Sequence, residues 1–223
     1  THNLIIPKNN DELGVMVKNL HASLDIKDVK IEELHNLTMI LDERWYDPYK
    51  QWLEVGWALH NTDANLLFWT WISFSAKSDK FDFNEIPKMW EMWNCNFKDE
   101  GITFRTIHYY VKENFPTEYF NIQGSCTDKL ITECGKSKGS DTDLAIITNH
   151  LFKELFACVG IKTQKWYRFQ NHRWVEDDNG TSLRRNLSDK INHLFTARSW
   201  EEKVKAAEDD VNEAEKAKHI DNS

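Results

Sequence analysis

A chain of 223 residues with 40% apolar side chains, among them 10 Trp and 12 Phe, holds too much core-forming material to be disordered; it is long enough for one large domain or two small ones. Its 8 Gly and 4 Pro are too few for the many turns of a β-sandwich and favour long helices. The formal charge of -8 excludes a uniformly basic nucleic-acid binder, but residues 160–200 hold eight Lys and Arg against four Asp and Glu, a local +4 that leaves -12 for the rest.

Residues 1–27 read as a polar lead-in with one short helix at Glu12–Leu24 (Leu13, Val17, Leu20, Leu24). From Lys30, the spacing of Ile31, Leu34, Leu37 and Leu41 predicts a helix that stops before Asp47-Pro48, because a residue preceding proline is pushed out of the helical region. Tyr49, Trp52, Leu53, Gly56, Trp57 and His60 share one face of the next helix. Asn61-Thr62-Asp63 is a turn, and Ala64–Ser75 is apolar enough to be a central helix buried on most sides. Asn84 is expected to cap a helix bearing Ile86, Met89, Trp90 and Trp93, and Thr103 to cap one bearing Ile107, Tyr110 and Val111 that ends at Phe115-Pro116. The tryptophans of residues 52–93, at helical spacing, read as core. These helices make residues 28–122 a first domain.

Residues 123–143, rich in Gly, Ser, Thr, Asp and Lys, are expected to be a linker. Beyond them a second domain, 144–199, opens with a helix over Leu144–Val159 closed by Gly160. Tyr167–Phe169 and Arg173–Val175 predict a short hairpin turned at Gln170-Asn171-His172, which must pack on helices to be stable. After the acidic turn at 176–180, Thr181 or Ser182 is expected to cap a helix whose apolar face is Leu183, Leu187, Ile191, Leu194 and Phe195. Ser199-Trp-Glu-Glu202 fits a capping box that would open a separate helical tail over 200–223, with a thin apolar stripe of Val204, Ala207, Val211 and Ala214. The fold class is therefore mainly α, two small helical domains, the second with a short β-hairpin in a winged-helix-like arrangement. Thr at position 1, rather than Met, leads us to expect a piece of a longer polypeptide.

Catalytic patterns are scarce. Cys134-Gly135-Lys136-Ser137 contains the GKS of a phosphate-binding loop, but Leu130 stands where that loop needs Gly, and no buried strand precedes it. His60, His108, His150, His172 and His193 are dispersed, without metal-ligand spacing. Asp141 and Asp143 have the alternation of a two-carboxylate metal site but fall in the expected linker. The 4 Cys form no C-x-x-C pair, which suits a reduced intracellular setting, and no signal peptide or long apolar run is visible, so no membrane contact is expected.

What remains is binding. Around Trp166–Trp174, cations alternate with Trp166, Tyr167, Phe169 and Trp174, a mixture that can track a phosphate backbone and stack bases. The candidate nucleic-acid contacts are Lys165, Arg168, Arg173, Arg184, Arg185 and Lys190. The alternative is that the aromatics, Trp166 and Trp174 above all, anchor the hairpin to helices while the cations form an ordinary solvated surface. No catalytic residue and no metal ligand is assigned.

The motif YDPYKQWLEVGWALHN, the following FWTWISFSAKSDKFD, the Trp90-x-x-Trp93 helix and Gly101-Ile-Thr-Phe-Arg-Thr-Ile resemble the primase C-terminal helical domain of viral and mobile-element primases. Residues 144–198, with WYRFQNHRWVEDDNG and the basic helix, resemble the domain preceding the superfamily-three helicase in poxvirus-type and phage primase-helicases. The two resemblances imply a middle region of a primase-helicase from a large DNA virus, acting in the host cytoplasm or nucleus. The chain would be a noncatalytic module that joins primase to helicase and contacts single-stranded or forked DNA, or alternatively a scaffold for oligomerisation and docking. The resemblance gives the chain itself no cofactor; ATP, Mg²⁺ and a hexameric ring would belong to the whole protein.

Overall fold

A computed structural model describes residues 6–25, 28–95, 101–136 and 140–221, with side chains described as far as residue 206. Ten α-helices and one three-stranded sheet are present among them. By contact the chain divides into two units, 1–128 and 129–223.

In the first unit the sequence signals become elements largely as the periodicity requires. α1 (Asn10–Ala22) starts where the Asn9 side chain accepts from the backbone N–H of Glu12, and it buries Leu13 and Val17. α2 (Val29–Ile40) buries Ile31, Leu34 and Leu37 and stops at Leu41. Its last carbonyls are taken up by a lysine from another helix end, Lys77, whose Nζ donates to Met39 and Leu41. α3 (Glu43–Tyr46) is a single turn before Pro48, and α4 (Tyr49–His60) follows.

The buried face of α4 differs from the expected one. Val55, Ala58 and Leu59 are its most enclosed side chains, while Tyr49 is 68% exposed. The bulky residues expected inward, Trp52 and Trp57, lie along the boundary of that face and are half-buried. The indole N–H of Trp52 donates to the hydroxyl of buried Ser75 at 2.7 Å, which ties the ring to the central helix.

α5 (Phe68–Ser75) is the centre of the unit: it packs against α1, α2, α4 and α6, and six of its eight residues are buried. Trp71 stacks on Trp52 at 4.7 Å and meets Trp93 at 5.5 Å, so the tryptophan cluster is core. α6 (Ile86–Cys95) is entered through a 3-10 turn capped by Asp82, not Asn84; the Asp82 carboxylate accepts from the Asn84 N–H, and Asn84 lies inside the turn. α7 (Phe104–Asn114) is likewise not closed by Thr103: the N–H of Phe104 donates to the Thr62 hydroxyl at 3.0 Å, so the cap comes from another turn. Pro116 does end α7, but it also occupies the first position of α8 (Pro116–Lys136), where its missing N–H costs nothing.

α8 corrects the expected linker. Residues 123–136 are helical, and Cys126, Leu130, Ile131 and Cys134 are buried. Their i, i+4, i+5, i+8 spacing makes an apolar stripe that outweighs the Gly and Ser between them. Gly135 and Lys136 of the GKS motif therefore sit in a helix end, while Ser137 lies outside the described residues. Asp143 has a structural task too, closing a capping box with Ser140 at the start of α9 (Asp141–Phe152).

α9 ends earlier than expected. Residues 156–160 are not its continuation but β1 (Phe156–Gly160), paired antiparallel with β2 (Lys165–Gln170), which pairs with β3 (Arg173–Asp177). The expected two-stranded hairpin is thus the distal part of a three-stranded sheet in the order β1-β2-β3. Its turn is two residues, Asn171 and His172, both with positive φ as a tight hairpin turn requires. α10 (Thr181–Asp221) then runs without a break, and Ser199 is an interior residue rather than the start of a second helix. Val211 and Ala214 of the expected tail stripe lie where side chains are not described.

Candidate nucleic-acid interface

The sheet of the second unit has two unlike faces. Alternation along paired strands puts Trp166, Arg168, Val175 and Asp177 on one of them. This is the side that meets the N-terminus of α10. Asp177 is only 5% exposed, and its two carboxylate oxygens accept from the N–H groups of Ser182 and Leu183 at 3.1 and 3.3 Å. Asp177, not Thr181 or Ser182, is therefore the cap of α10. The connection is short because Asn179 and Gly180 both take positive φ, and Gly180 faces the Trp166 ring at a distance where an added Cβ would lie 3.3 Å from it.

The Asp177 carboxyl is held below its usual value. Burial pushes it upward, but the Ser182 hydroxyl, the N–H groups of Ser182 and Leu183, and the charge of Arg168 together outweigh that. Arg168 also donates to the Ser182 hydroxyl at 3.2 Å. It is a half-buried structural cation as much as a candidate contact.

The opposite face carries Lys165, Tyr167, Phe169, Trp174 and Glu176. Lys165 lies 3.6 Å from the Glu176 carboxylate and 5.6 Å from the Tyr167 ring centroid. Hydrogen bonding to Tyr167, with the charge of Glu176 behind it, raises the Lys165 ammonium above its usual value, so it is charged across the physiological range. Trp174, expected among the hairpin's anchors, is 49% exposed; Trp166 is the one that packs inward, against Gly180.

On α10, Leu183 is buried and Leu187, Ile191, Leu194 and Phe195 are half-buried. At roughly 100° per residue, Arg185 falls farthest from that line, Arg184 projects between Ile191 and Phe195, and Lys190 lies beside Leu183. All three are exposed. Lys190 Nζ lies 5.8 Å from the Phe152 ring centroid. The six candidate cations thus do not form one patch: Lys165 and Arg168 belong to opposite sheet faces, Arg173 stands at the hairpin end, and three more surround α10. Sequence reasoning missed the cap role of Asp177 and the place of Leu155 beside the sheet aromatics, where its carbonyl accepts from the Phe169 N–H. The signal for the latter was available in the Val-Gly-Ile-Lys-Thr-Gln stretch, a strand end followed by turn residues, of which Gln164 takes positive φ.

Among the described residues no group of three His, Cys, Asp or Glu is placed to hold a metal ion, and no helix is long and apolar enough to cross a membrane.

Comparison with known proteins identifies the first unit. Residues 34–111 match the family described as primase C terminal 2 (PriCT-2). The first unit carries a PriCT-2 domain. Its match runs from Leu34 in α2 through Val111 in α7 and so takes in the whole tryptophan core of α4, α5 and α6.

The PriCT-2 domain and the sheet unit together have relatives in large DNA viruses. A protein of Acanthamoeba polyphaga mimivirus, named as a helicase, is 31% identical over 199 residues, 89% of this chain and 20% of the relative. A Frog virus 3 protein, also named as a helicase, is 32% identical over 162 residues, 71% of this chain and 16% of its own length. A protein of African swine fever virus, named as a primase, is 29% identical over 123 residues, 52% of this chain and 12% of the relative. The chain spans about a fifth or less of the length of these relatives.

Proposed function

We propose that the chain is a noncatalytic middle module of a viral DNA-replication primase-helicase, joining primase to helicase and contacting DNA through cations of the second unit. What carries the reading is the mimivirus match. It runs through the PriCT-2 domain and the sheet unit alike, and it takes up 20% of a much longer protein named as a helicase. In that setting ATP and Mg²⁺ would be used by flanking domains, the full protein would work as a ring of six, and its place would be the infected cell's cytoplasm or nucleus.

Arg173, Arg184 and Arg185 support the DNA contact best. None of them is engaged in an ion pair among the described residues, whereas Lys165 faces Glu176 and Arg168 is tied to Ser182. Phosphate contacts release counterions, so each one adds roughly 0.7 to 0.9 to the slope of log affinity against log salt. Arg184→Glu with Arg185→Glu is expected to weaken binding of forked and single-stranded DNA about tenfold or more at low salt and to flatten that slope. Anisotropy titrations at several salt concentrations measure both, and unchanged affinity and slope would overturn the DNA contact.

A second reading, a scaffold for oligomerisation or docking, is favoured by Trp200 and Val204 on α10, which are 69% and 41% exposed. It expects the same charge reversal, or Trp200→Ala, to change the sedimentation of the chain while DNA binding stays intact.

A further inference from the structure

The sheet face directed away from the N-terminus of α10 holds more than its candidate lysine. The N–H of Phe169 donates to the Leu155 carbonyl at 2.7 Å, and Phe169 pairs with Trp174, so Leu155, Phe169 and Trp174 form one row across three chain segments. The next row is Ala157, Tyr167 and Glu176. Leu155, Phe169 and Trp174 are 45%, 42% and 49% exposed. The Phe169 and Trp174 rings meet edge to face at 5.4 Å, a contact that fixes both rings without covering them.

We propose that this face is a stacking platform for the bases of single-stranded nucleic acid; the proposal rests on the DNA contact argued above and gives it a site and a form of nucleic acid. Three features favour this occupant. The centre of the face is built of rings, and any base presents a π-face to a ring, so the contact needs no sequence. Tyr167 and Phe169 are two residues apart on β2, hence on the same side about 7 Å from one another, and the six residues of β2 span roughly 20 Å, room for two or three bases.

Charge supplies the third feature. Lys165 lies at one end of the face with exposed Lys162 in the turn before it, whereas Arg173, paired with Gln170, alternates onto the opposite face with Val175. The one carboxylate on the face, Glu176, is already met by Lys165. A strand of nucleic acid would thus find cations at the Lys162 and Lys165 end of the ring row, within residues 160–200, whose local charge is +4 in a chain of overall charge -8.

The test compares two probes on the whole 223-residue chain: an oligothymidylate and an abasic oligonucleotide of equal length, which keeps the phosphates and removes the bases. Trp174→Ala and Phe169→Leu are the variants, the latter keeping apolar bulk and losing only the ring; circular dichroism checks that both fold. Each is expected to lower affinity for oligothymidylate by roughly fivefold to a hundredfold, the range for loss of one stacked base, while abasic binding and the salt slope stay as in the parent chain.

The Arg184/Arg185 reversal, by contrast, is expected to weaken both probes. Ring variants that bind oligothymidylate as the parent does, alongside a charge reversal that weakens binding, would overturn the platform and leave the DNA contact standing. A parent chain that binds neither probe would overturn both. A change in sedimentation without a change in oligothymidylate affinity would assign the face to a contact between copies of the chain.

Discussion

Asp177 performs two tasks at one position. It satisfies two N–H groups at the start of α10, and the charge of half-buried Arg168 acts on it, so the turn from β3 into α10 is held by one carboxylate. Replacing it with Ala is expected to cost about 1–2 kcal/mol, the range for loss of a helix cap. The sign with pH follows from the direction of its shift. A carboxyl held below 3.8 in the folded chain contributes stability that is complete above that value and is lost as pH falls through the folded pKa. Acid titration of the helical circular dichroism signal should therefore show a shallower acid limb in Asp177→Ala than in the parent. An unchanged acid limb would mean that this carboxylate does not hold the turn.

At the scale of elements, α8 separates what composition suggests from what periodicity dictates. Gly124, Ser125, Gly135 and neighbouring polar residues make 123–143 look like a loop, yet Cys126, Leu130, Ile131 and Cys134 give it a helical apolar stripe. Leu130 is wholly buried, so Leu130→Ala is expected to destabilise the chain by about 2–5 kcal/mol. A flexible linker would tolerate the change, and thermal or urea unfolding decides between them. The same competition explains the other differences. Most helix starts were legible to within a few residues, because periodic apolar residues mark them, though that of α8 was not and the one expected at Ser199 does not occur; the capping residues were not legible either, since Asp82, Thr62 and Asp177 act from a turn or strand whose position only the fold sets. β1 was missed because its apolar residues follow directly on those of α9, and a short apolar run does not distinguish strand from helix. The candidate cations were legible as residue types, but not their separation onto two sheet faces and several sides of α10, which depends on strand register.

At the scale of the whole molecule, the core that links α1 through α7 is made of residues from the first unit, whereas the second buries its own smaller set: Leu130, Ile131, Cys134, Ile147, Phe152 and Leu183. The two units carry different acid-sensitive groups, which makes pH a way to tell their stabilities apart. His35 in α2 is lowered from 6.5 to about 4, first by burial and then by the charge of His21, whose ring centroid is 4.7 Å away. It stands beside a cavity of about 660 Å³ also lined by Lys18, Glu32 and Lys77, and its Nδ1 lies 3.1 Å from the Thr70 hydroxyl of the central helix α5. A histidine whose folded pKa is depressed is neutral in the fold and binds a proton more readily once unfolded. Its contribution is thus complete above pH 6.5 and is lost as pH falls from there to about 4, by up to about 3 kcal/mol. The contribution of Asp177 in the second unit is untouched until pH falls below the ordinary carboxylate range. Unfolding followed by tryptophan emission, which the first unit dominates with its cluster at residues 45–93, should therefore weaken between pH 6.5 and 5. Hydrogen exchange of the α10 start should hold steady over the same interval. In His35→Gln, which keeps a hydrogen-bonding group beside Thr70 but cannot take up the proton, the loss between pH 6.5 and 5 should shrink to a small residue. If the variant loses stability with the parent's slope, His35 is not the group that titrates.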